Sequence, residues 1–201
     1  IVKSDGTGSA IAILTGYMWK RAKGYFDVVA YSGTGSGAQN VTHNLGVVPE
    51  MMWIKVRNDA DNWTVYHSAL GNTKRLILNS SDEASSANSI FFNNTTPTSS
   101  VFTAGSLINA SQTYMAYLFA TVAGISKVGT YTGNGSDGNQ IDCGFSSGAR
   151  FVLIKNTTVN NTNWLVFDSA RGIVAGNDPV LELNSTDAEV TGTDYVDPYS
   201  S

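Results

Sequence analysis

Residues 133–138 carry the pattern on which phosphate chemistry could rest: Gly133-Asn134-Gly135-Ser136-Asp137-Gly138 satisfies G-x-G-x-x-G. A dinucleotide fingerprint must open a helix within a βαβ unit, because the helix N-terminus holds the pyrophosphate. The residues that follow, Asn139-Gln140-Ile141-Asp142-Cys143-Gly144-Phe145, read as strand and turn instead. The glycines therefore serve positive φ in a hairpin or bulge. Asn134, Ser136, Asp137 and Asp142 also cluster oxygen acceptors, but their spacing is not that of an EF-hand and no Glu closes the loop. Such a loop holds at most an adventitious cation, so neither a cofactor nor a resident metal is expected.

Nucleophilic and acid–base catalysis have little more to draw on. The two histidines are His43 and His67. When the chain is laid on itself, as described next, His67 falls on Asp168 and His43 falls near Gly144, so no Ser-His-Asp set is kept. Asp27, Glu50, Asp59 and Asp61 could pair as glycosidase carboxylates. Their counterparts include Lys127 and Ala149 or Arg150, so no acid pair is repeated. The lone cysteine, Cys143, reads as a small buried residue at a strand end. Trp63 and Trp164 recur in Asn-Trp-x-Val-Tyr/Phe, where a Trp is either a core anchor or a sugar-stacking platform. Their β-branched neighbours favour the core. Trp63, Trp164, Asn134 and Asp137 remain the candidate ligand contacts, and no catalytic residue is expected.

The elements that must position these residues are duplicated. Tyr31-Ser32-Gly33-Thr34-Gly35-Ser36 matches Tyr131-Thr132-Gly133-Asn134-Gly135-Ser136, and Tyr17, Trp19, Gly24, Ile54 and Lys55 match Tyr117, Phe119, Gly124, Ile154 and Lys155, each 100 positions on. The offset then drifts through loop insertions: Asn62-Trp63 matches Asn163-Trp164, and Leu78-Asn79-Ser80-Ser81-Asp82 matches Leu183-Asn184-Ser185-Thr186-Asp187. A period this long is a domain-sized unit copied in tandem, not a solenoid repeat. Residues 25–124 make one complete unit and residues 125–201 a second that lacks the counterparts of the last strands. Residues 1–24 then supply the terminal strand of a preceding unit. The chain opens at Ile1 without Met or a signal-peptide pattern and reads as a piece of a longer polypeptide.

Within the complete unit, strand signals recur at Phe26–Tyr31, Glu50–Val56, Trp63–His67, Leu76–Leu78, Phe91-Phe92, Val101-Phe102 and Thr113–Phe119, separated by turn residues. No stretch holds a capped 3.6-residue period. The fold class is all-β: tandem antiparallel β-sandwich units of about 100 residues, with jelly-roll and Ig-like topologies both open. Charged residues are 14% of the chain, against about 25% in a typical globular protein. The formal net charge is −4 with no basic stripe, which argues against phosphate-dominated nucleic-acid binding. No run reaches the roughly 18 apolar residues that a membrane span needs.

Several of these runs together resemble a known family. Trp19-Lys20-Arg21 through Phe26–Tyr31, His43–Met52, Gly129–Ser136 and Asp168–Pro179 resemble a repeated domain of uncharacterised function in tailed-bacteriophage structural proteins, frequent in marine phages and often C-terminal to a laminin-G/concanavalin-like module. The resemblance implies a non-enzymatic virion protein, part of a tail fibre or appendage that attaches to the host surface. It implies other virion proteins as partners and a homo-oligomer, with a trimer the usual symmetry. A host-surface glycan or protein would be the target. A carbohydrate-binding module on the virion and a capsid-decorating or neck protein are the alternatives.

Overall fold

The computed structural model describes residues 16–198. The apolar run Ser9–Leu14, assigned above to the strand of a preceding unit, lies outside the described residues. The strands are β1 (Phe26–Ser32), β2 (Gln39–Thr42), β3 (Met51–Val56), β4 (Thr64–His67), β5 (Lys74–Ile77), β6 (Ser85–Ser86), β7 (Val101–Ala104), β8 (Thr113–Phe119), β9 (Phe151–Ile154), β10 (Leu165–Asp168) and β11 (Leu181–Glu182). They pair antiparallel throughout, which establishes the all-β class. The six-stranded sheet runs β1-β8-β3-β4-β5-β6, β2 pairs with β7, and β11-β10-β9 form a three-stranded sheet. No helix among the described residues is long and apolar enough to cross a membrane.

Alternation builds the wide sheet. Met52, Ile54 and Val56 of β3 are buried while Met51, Trp53 and Lys55 between them are half-buried. On β8 the buried set is Tyr114, Ala116 and Leu118, directly opposite the β3 set. These residues pack with Tyr66 of β4, Val41 of β2, Phe102 of β7 and Phe92, so the β2–β7 ribbon closes a core over this face. Burying each large apolar side chain contributes about 1.5–3 kcal/mol. The opposite face is apolar as well: Val65, Leu76 and Leu78 pack with Trp164, and Met51, Trp53, Trp63 and Leu153 surround them. Trp164 and Leu153 come from the second half of the chain, so its sheet covers the back of the first.

Two sequence expectations are corrected. Phe91-Phe92 is not a strand but the end of a helical turn, α1 (Asn88–Phe92). Both rings are buried, at 5% and 1% exposure. A strand would send neighbouring side chains to opposite faces, whereas a helical turn keeps both toward one core. Asn88 and Asn93, at φ 46° and 51°, bracket the turn in left-handed conformations that Asn tolerates. The stretch Asn139–Phe145 forms no strand. Its counterpart β2 is held by β7, and no counterpart of β7 pairs with this stretch among the described residues. Accordingly Ile141 is 44% exposed and Tyr131 51%, while Val41 is buried at 5%. Tyr31 stacks on Tyr114 at 5.0 Å and donates its hydroxyl proton to the Ile108 carbonyl at 2.7 Å.

The same difference separates two matched glycines. A Cβ on Gly33 would lie 1.9 Å from the Ala110 carbonyl oxygen, whereas one on Gly133 would meet nothing within 4 Å. Gly33→Ala is expected to lose about 1–3 kcal/mol of stability through backbone displacement. Gly133→Ala should stay within about 0.5 kcal/mol of the parent. Urea unfolding of the two variants checks the contrast.

Candidate functional site

The glycine loop is a self-contained turn. Gly135 and Gly138 hold φ 74° and 73°. The Asn134 side-chain oxygen accepts from the Ser136 N–H at 2.9 Å, and the Asn139 amide donates to the Thr132 carbonyl at 3.2 Å. The next element is strand β9, so the loop does not open a helix as the phosphate reading requires. Asn134 and Asp137 are exposed. Asp142 accepts from the Gly144 N–H at 2.7 Å. Among the described residues no three His, Cys, Asp or Glu side chains are placed to hold a metal ion. Cys143 is half-buried in the strandless stretch before β9.

The acidic candidates lie on β1 (Asp27), just before β3 (Glu50) and on the β3–β4 loop (Asp59 and Asp61), each engaged with a different partner. Glu50 accepts from the Thr121 N–H, Asp59 from the Gln112 amide at 2.7 Å, and Asp61 from the Asn62 N–H at 2.7 Å. Asp27 is 1% exposed, paired with Arg21, and accepts from the Asn44 N–H at 2.7 Å. Burial works against its charge, but the Arg21 and Asn44 bonds outweigh it and hold the carboxyl below the usual 3.8. His43 is 5% exposed, with Nδ1 accepting from the Leu45 N–H at 3.3 Å and Nε2 at 3.2 Å from the Thr98 carbonyl. These bonds fix the neutral tautomer with the proton on Nε2. Burial lowers its pKa below 6.5, with the Thr98 bond and the Asp27 charge opposing. The folded value being depressed, His43 contributes stability that is present above pH 6.5 and lost as pH falls through the folded value. An NMR titration should find the His43 ring titrating below 6.5; a midpoint at or above that value would contradict the neutral, Leu45-bonded ring.

His67 and Asp168, matched in sequence, do one job with different atoms. His67 Nδ1 accepts from the Ala69 N–H at 3.2 Å; Asp168 Oδ1 accepts from the Ala170 and Arg171 N–H groups at 3.0 Å. Asp168 does more. Its Oδ2 takes the Arg171 Nε–H at 2.5 Å and the Tyr17 hydroxyl at 2.9 Å. Arg171 also donates to Glu189 at 2.8 Å and to the Val166 carbonyl at 2.9 Å. Burial raises the Asp168 pKa, but the Arg171 bonds and the Tyr17 hydroxyl overcome it, leaving the net value below 3.8. Sequence reasoning missed Arg171, whose only signal was its place three residues after a strand-end Asp.

The tryptophans frame the same turn in each half. The Trp63 N–H donates to the Asn79 side-chain oxygen at 2.9 Å, and the Asn79 amide donates to the Asn62 side-chain oxygen at 2.9 Å. The Trp164 N–H donates to Asn184 at 2.7 Å, and the Asn184 amide to Asn163 at 2.8 Å. Beyond this shared turn the two indoles differ. Trp164 is 3% exposed, and its indole N–H crosses to the Ile77 carbonyl of β5 at 2.9 Å, which leaves it no face for a sugar. Trp63 is half-buried with its ring 6.0 Å from Tyr117.

Lys155, whose match to Lys55 had no account in the sequence, stitches the same seam. Its ammonium donates to the Thr162 carbonyl, the Thr162 hydroxyl and, at 3.1 Å, the Ser81 carbonyl. Lys55 is half-buried and closes its own hairpin, on the Asp59 carbonyl at 3.1 Å. Backbone bonds Ala84 N–H to Thr157 and Thr162 N–H to Ser81 complete the contact.

A cavity of about 90 Å³ lies at the rim of the first core, lined by Ile54, Asp61, Thr64, Arg75, Phe91 and Tyr114 among others. The Arg75 guanidinium stands 4.0 Å over the Phe91 ring, and its Nε is buried without a partner. The cavity can take a small hydrogen-bond acceptor. Asp61 is the carboxylate among the residues that line it.

A family profile described as a domain of unknown function, DUF7483, matches residues 5–201. No curated protein and no solved structure matches the chain.

Proposed function

We propose the following for this chain, which belongs to the DUF7483 family, a domain of unknown function: it is a non-enzymatic structural protein of a tailed-phage virion, a segment of a tail fibre or related appendage that serves attachment to the host surface. The chain is read as tandem copies of one β-unit, residues 25–124 and 125–201, preceded by a terminal strand in residues 1–24.

One observation carries the reading. What the two halves share is scaffold, and what they do not share is chemistry. The shared part reaches single hydrogen bonds: Leu78 N–H to Trp63 and Leu183 N–H to Trp164, Ser68 N–H to Glu50 and Ser169 N–H to Arg150. The turns at Gly24 and Gly124 repeat the bridges Ala22–Phe26 and Val122–Ser126. Most ionisable positions diverge, His67 against Asp168 and Arg75 against Val180, with Lys55/Lys155 and Asp82/Asp187 the exceptions. The buried ones, Asp27, His43, Asp168 and Asp178, hold backbone N–H groups or an arginine. Placement in a virion rests on the sequence resemblance, as does oligomerisation with other copies, a trimer foremost, and with other virion proteins. Low surface charge suits such a particle.

A carbohydrate-binding module is the second reading. The Arg75 cavity and the exposed Asn134–Asp137 loop favour it; buried Trp164 does not. Gold-labelled antibody against residues 25–124, applied to intact particles carrying the full-length protein, tests the assignment. Label on tail appendages supports it, label on the capsid shell moves the protein to a decorating role, and unlabelled particles overturn it. A glycan array probed with the parent and Arg75→Ala chains tests the second reading.

A further inference from the structure

The rim cavity of the first core has an apolar floor and a polar mouth. Ile54 and Val56 of β3 and the Tyr114 ring of β8 form the floor, all buried. Asp61, Asn62 and Leu107 are exposed and form the mouth. Thr64 of β4, buried, and Arg75 of β5, half-buried, add two more polar groups to the wall. The space is about 90 Å³. One water needs roughly 10–15 Å³ of such space, so a group of several heavy atoms fits.

Its polar groups are fixed in place but not used up. The Arg75 guanidinium lies 4.0 Å over the Phe91 ring, a contact that engages its face and leaves its N–H edge. The Nε is buried with no hydrogen-bond partner, and the guanidinium forms no ion pair among the described residues. A buried donor without an acceptor is costly, so this one favours a ligand that brings one. At the mouth, the Asn62 side-chain oxygen accepts from the Asn79 amide at 2.9 Å, and Asp61 Oδ1 accepts from the Asn62 N–H at 2.7 Å. That leaves the Asn62 amide nitrogen as a donor and the second Asp61 oxygen as an acceptor.

The charges select the kind of ligand. Burial lowers the Arg75 pKa, and the Asp61 and Asp82 charges oppose it, so both carboxylates act on the guanidinium. An anion brought to Arg75 would meet those two carboxylates, and a cation would meet Arg75 itself. A neutral group that both accepts and donates suits all three. Two neighbouring hydroxyls do this: one accepts from the Arg75 Nε–H, and the other donates to Asp61. Their carbon skeleton then packs on the apolar floor. In the second half Asp61 falls on Thr162 and Arg75 on Val180, so both polar partners are lost together.

We propose that this cavity binds the diol edge of a neutral hexose, with Arg75 donating to one hydroxyl and Asp61 accepting from its neighbour. The proposal rests on the carbohydrate reading, to which it gives a site and a ligand class, and is independent of the virion assignment.

The test is an NMR titration of the whole chain that follows the Arg75 Nε–H signal, identified by its loss in Arg75→Met. The probes are glucose, galactose and mannose, with acetate and acetamide as the anionic and amide controls. At least one hexose is expected to shift the signal saturably, with an affinity about tenfold or more above either control. Failure of all three hexoses, or a control that binds as tightly, overturns the proposal. Asp61→Asn, an exposed change that keeps the shape, should weaken the hexose about tenfold and strengthen acetate. Hexose affinity unmoved by that change also sinks the site. A glycan array separates this outcome from the broader reading. Glycan retention that survives both Asp61→Asn and Arg75→Met overturns the site and leaves the carbohydrate reading standing. No retention by the parent chain, with no hexose shift, overturns both.

Discussion

Trp164→Ala is expected to lower the unfolding free energy by about 3–5 kcal/mol, the range for emptying a buried aromatic site. The indole is 3% exposed and packs against Val65, Leu76 and Leu78, which belong to the other half of the chain. Its N–H also satisfies the Ile77 carbonyl, so removal leaves both a void and a carbonyl without that donor. Trp63→Ala, at the matched position but half-buried, should cost about 1–2 kcal/mol. Denaturant unfolding reads both. Exchange of the β10 amides reads the location, since loss of Trp164 releases the second sheet first. Equal costs for the two would show that the seam between halves is not where Trp164 acts.

Asp168→Ala should be comparably damaging, at about 3–5 kcal/mol. The Asp168 and Arg171 side chains are 5% and 12% exposed. Removing the carboxylate strands a buried guanidinium with Glu189 as its remaining acid, and frees the Tyr17 hydroxyl and two backbone N–H groups. Asp168→Asn keeps the shape and should fall between the parent and the alanine variant. The pH dependence follows from the depressed carboxyl. Its stabilisation is fully present above about 3.9, the unfolded value, and is lost as pH falls through the lower folded value. Thermal melts at pH 5 and pH 3 should therefore differ more for the parent than for Asp168→Asn. Asp27 adds a slope of the same sign in both.

The long strands of the first half were legible because alternation and a partner's burial agreed. Thr113–Phe119 was read with the bounds it has, and Glu50–Val56 within one residue. Ribbon strand β2 was missed because Gln39-Asn40-Val41-Thr42 offers one buried apolar residue and its pairing with β7 spans about sixty residues, beyond any local pattern. The Phe91-Phe92 pair misled because adjacent aromatics carry no period at all. In the second half local pattern overstated order: Asn139–Phe145 resembles β2 but has no described partner, and a strand needs one. At the candidate site the glycines of residues 133–138 read as turn formers, and Gly135 and Gly138 do take positive φ. The sequence could not show that His67 and Asp168 are alternative acceptors for one turn, because that equivalence lies in lone-pair geometry. Nor could it show which Trp faces the seam. The two share a motif, and their difference is made by what the other half of the chain brings to them.

The pairing of Phe26 with Phe119 has a mechanical side. Ala120 N–H also bonds the Tyr25 carbonyl at 3.0 Å, so the backbone arrives at and departs from one corner of the unit. Tension transmitted through residues 25 and 120 would load that rung alone, and then the next, parting β1 from β8 as a zipper opens and not by shear along seven residues at once. While folded, residues 25–120 add to the pulled contour only the width of one strand pair, about 5 Å. Chain held in this way adds breadth far more than pulled length. Resistance to pulling must then come from contacts that bypass this corner, such as the Trp164 seam.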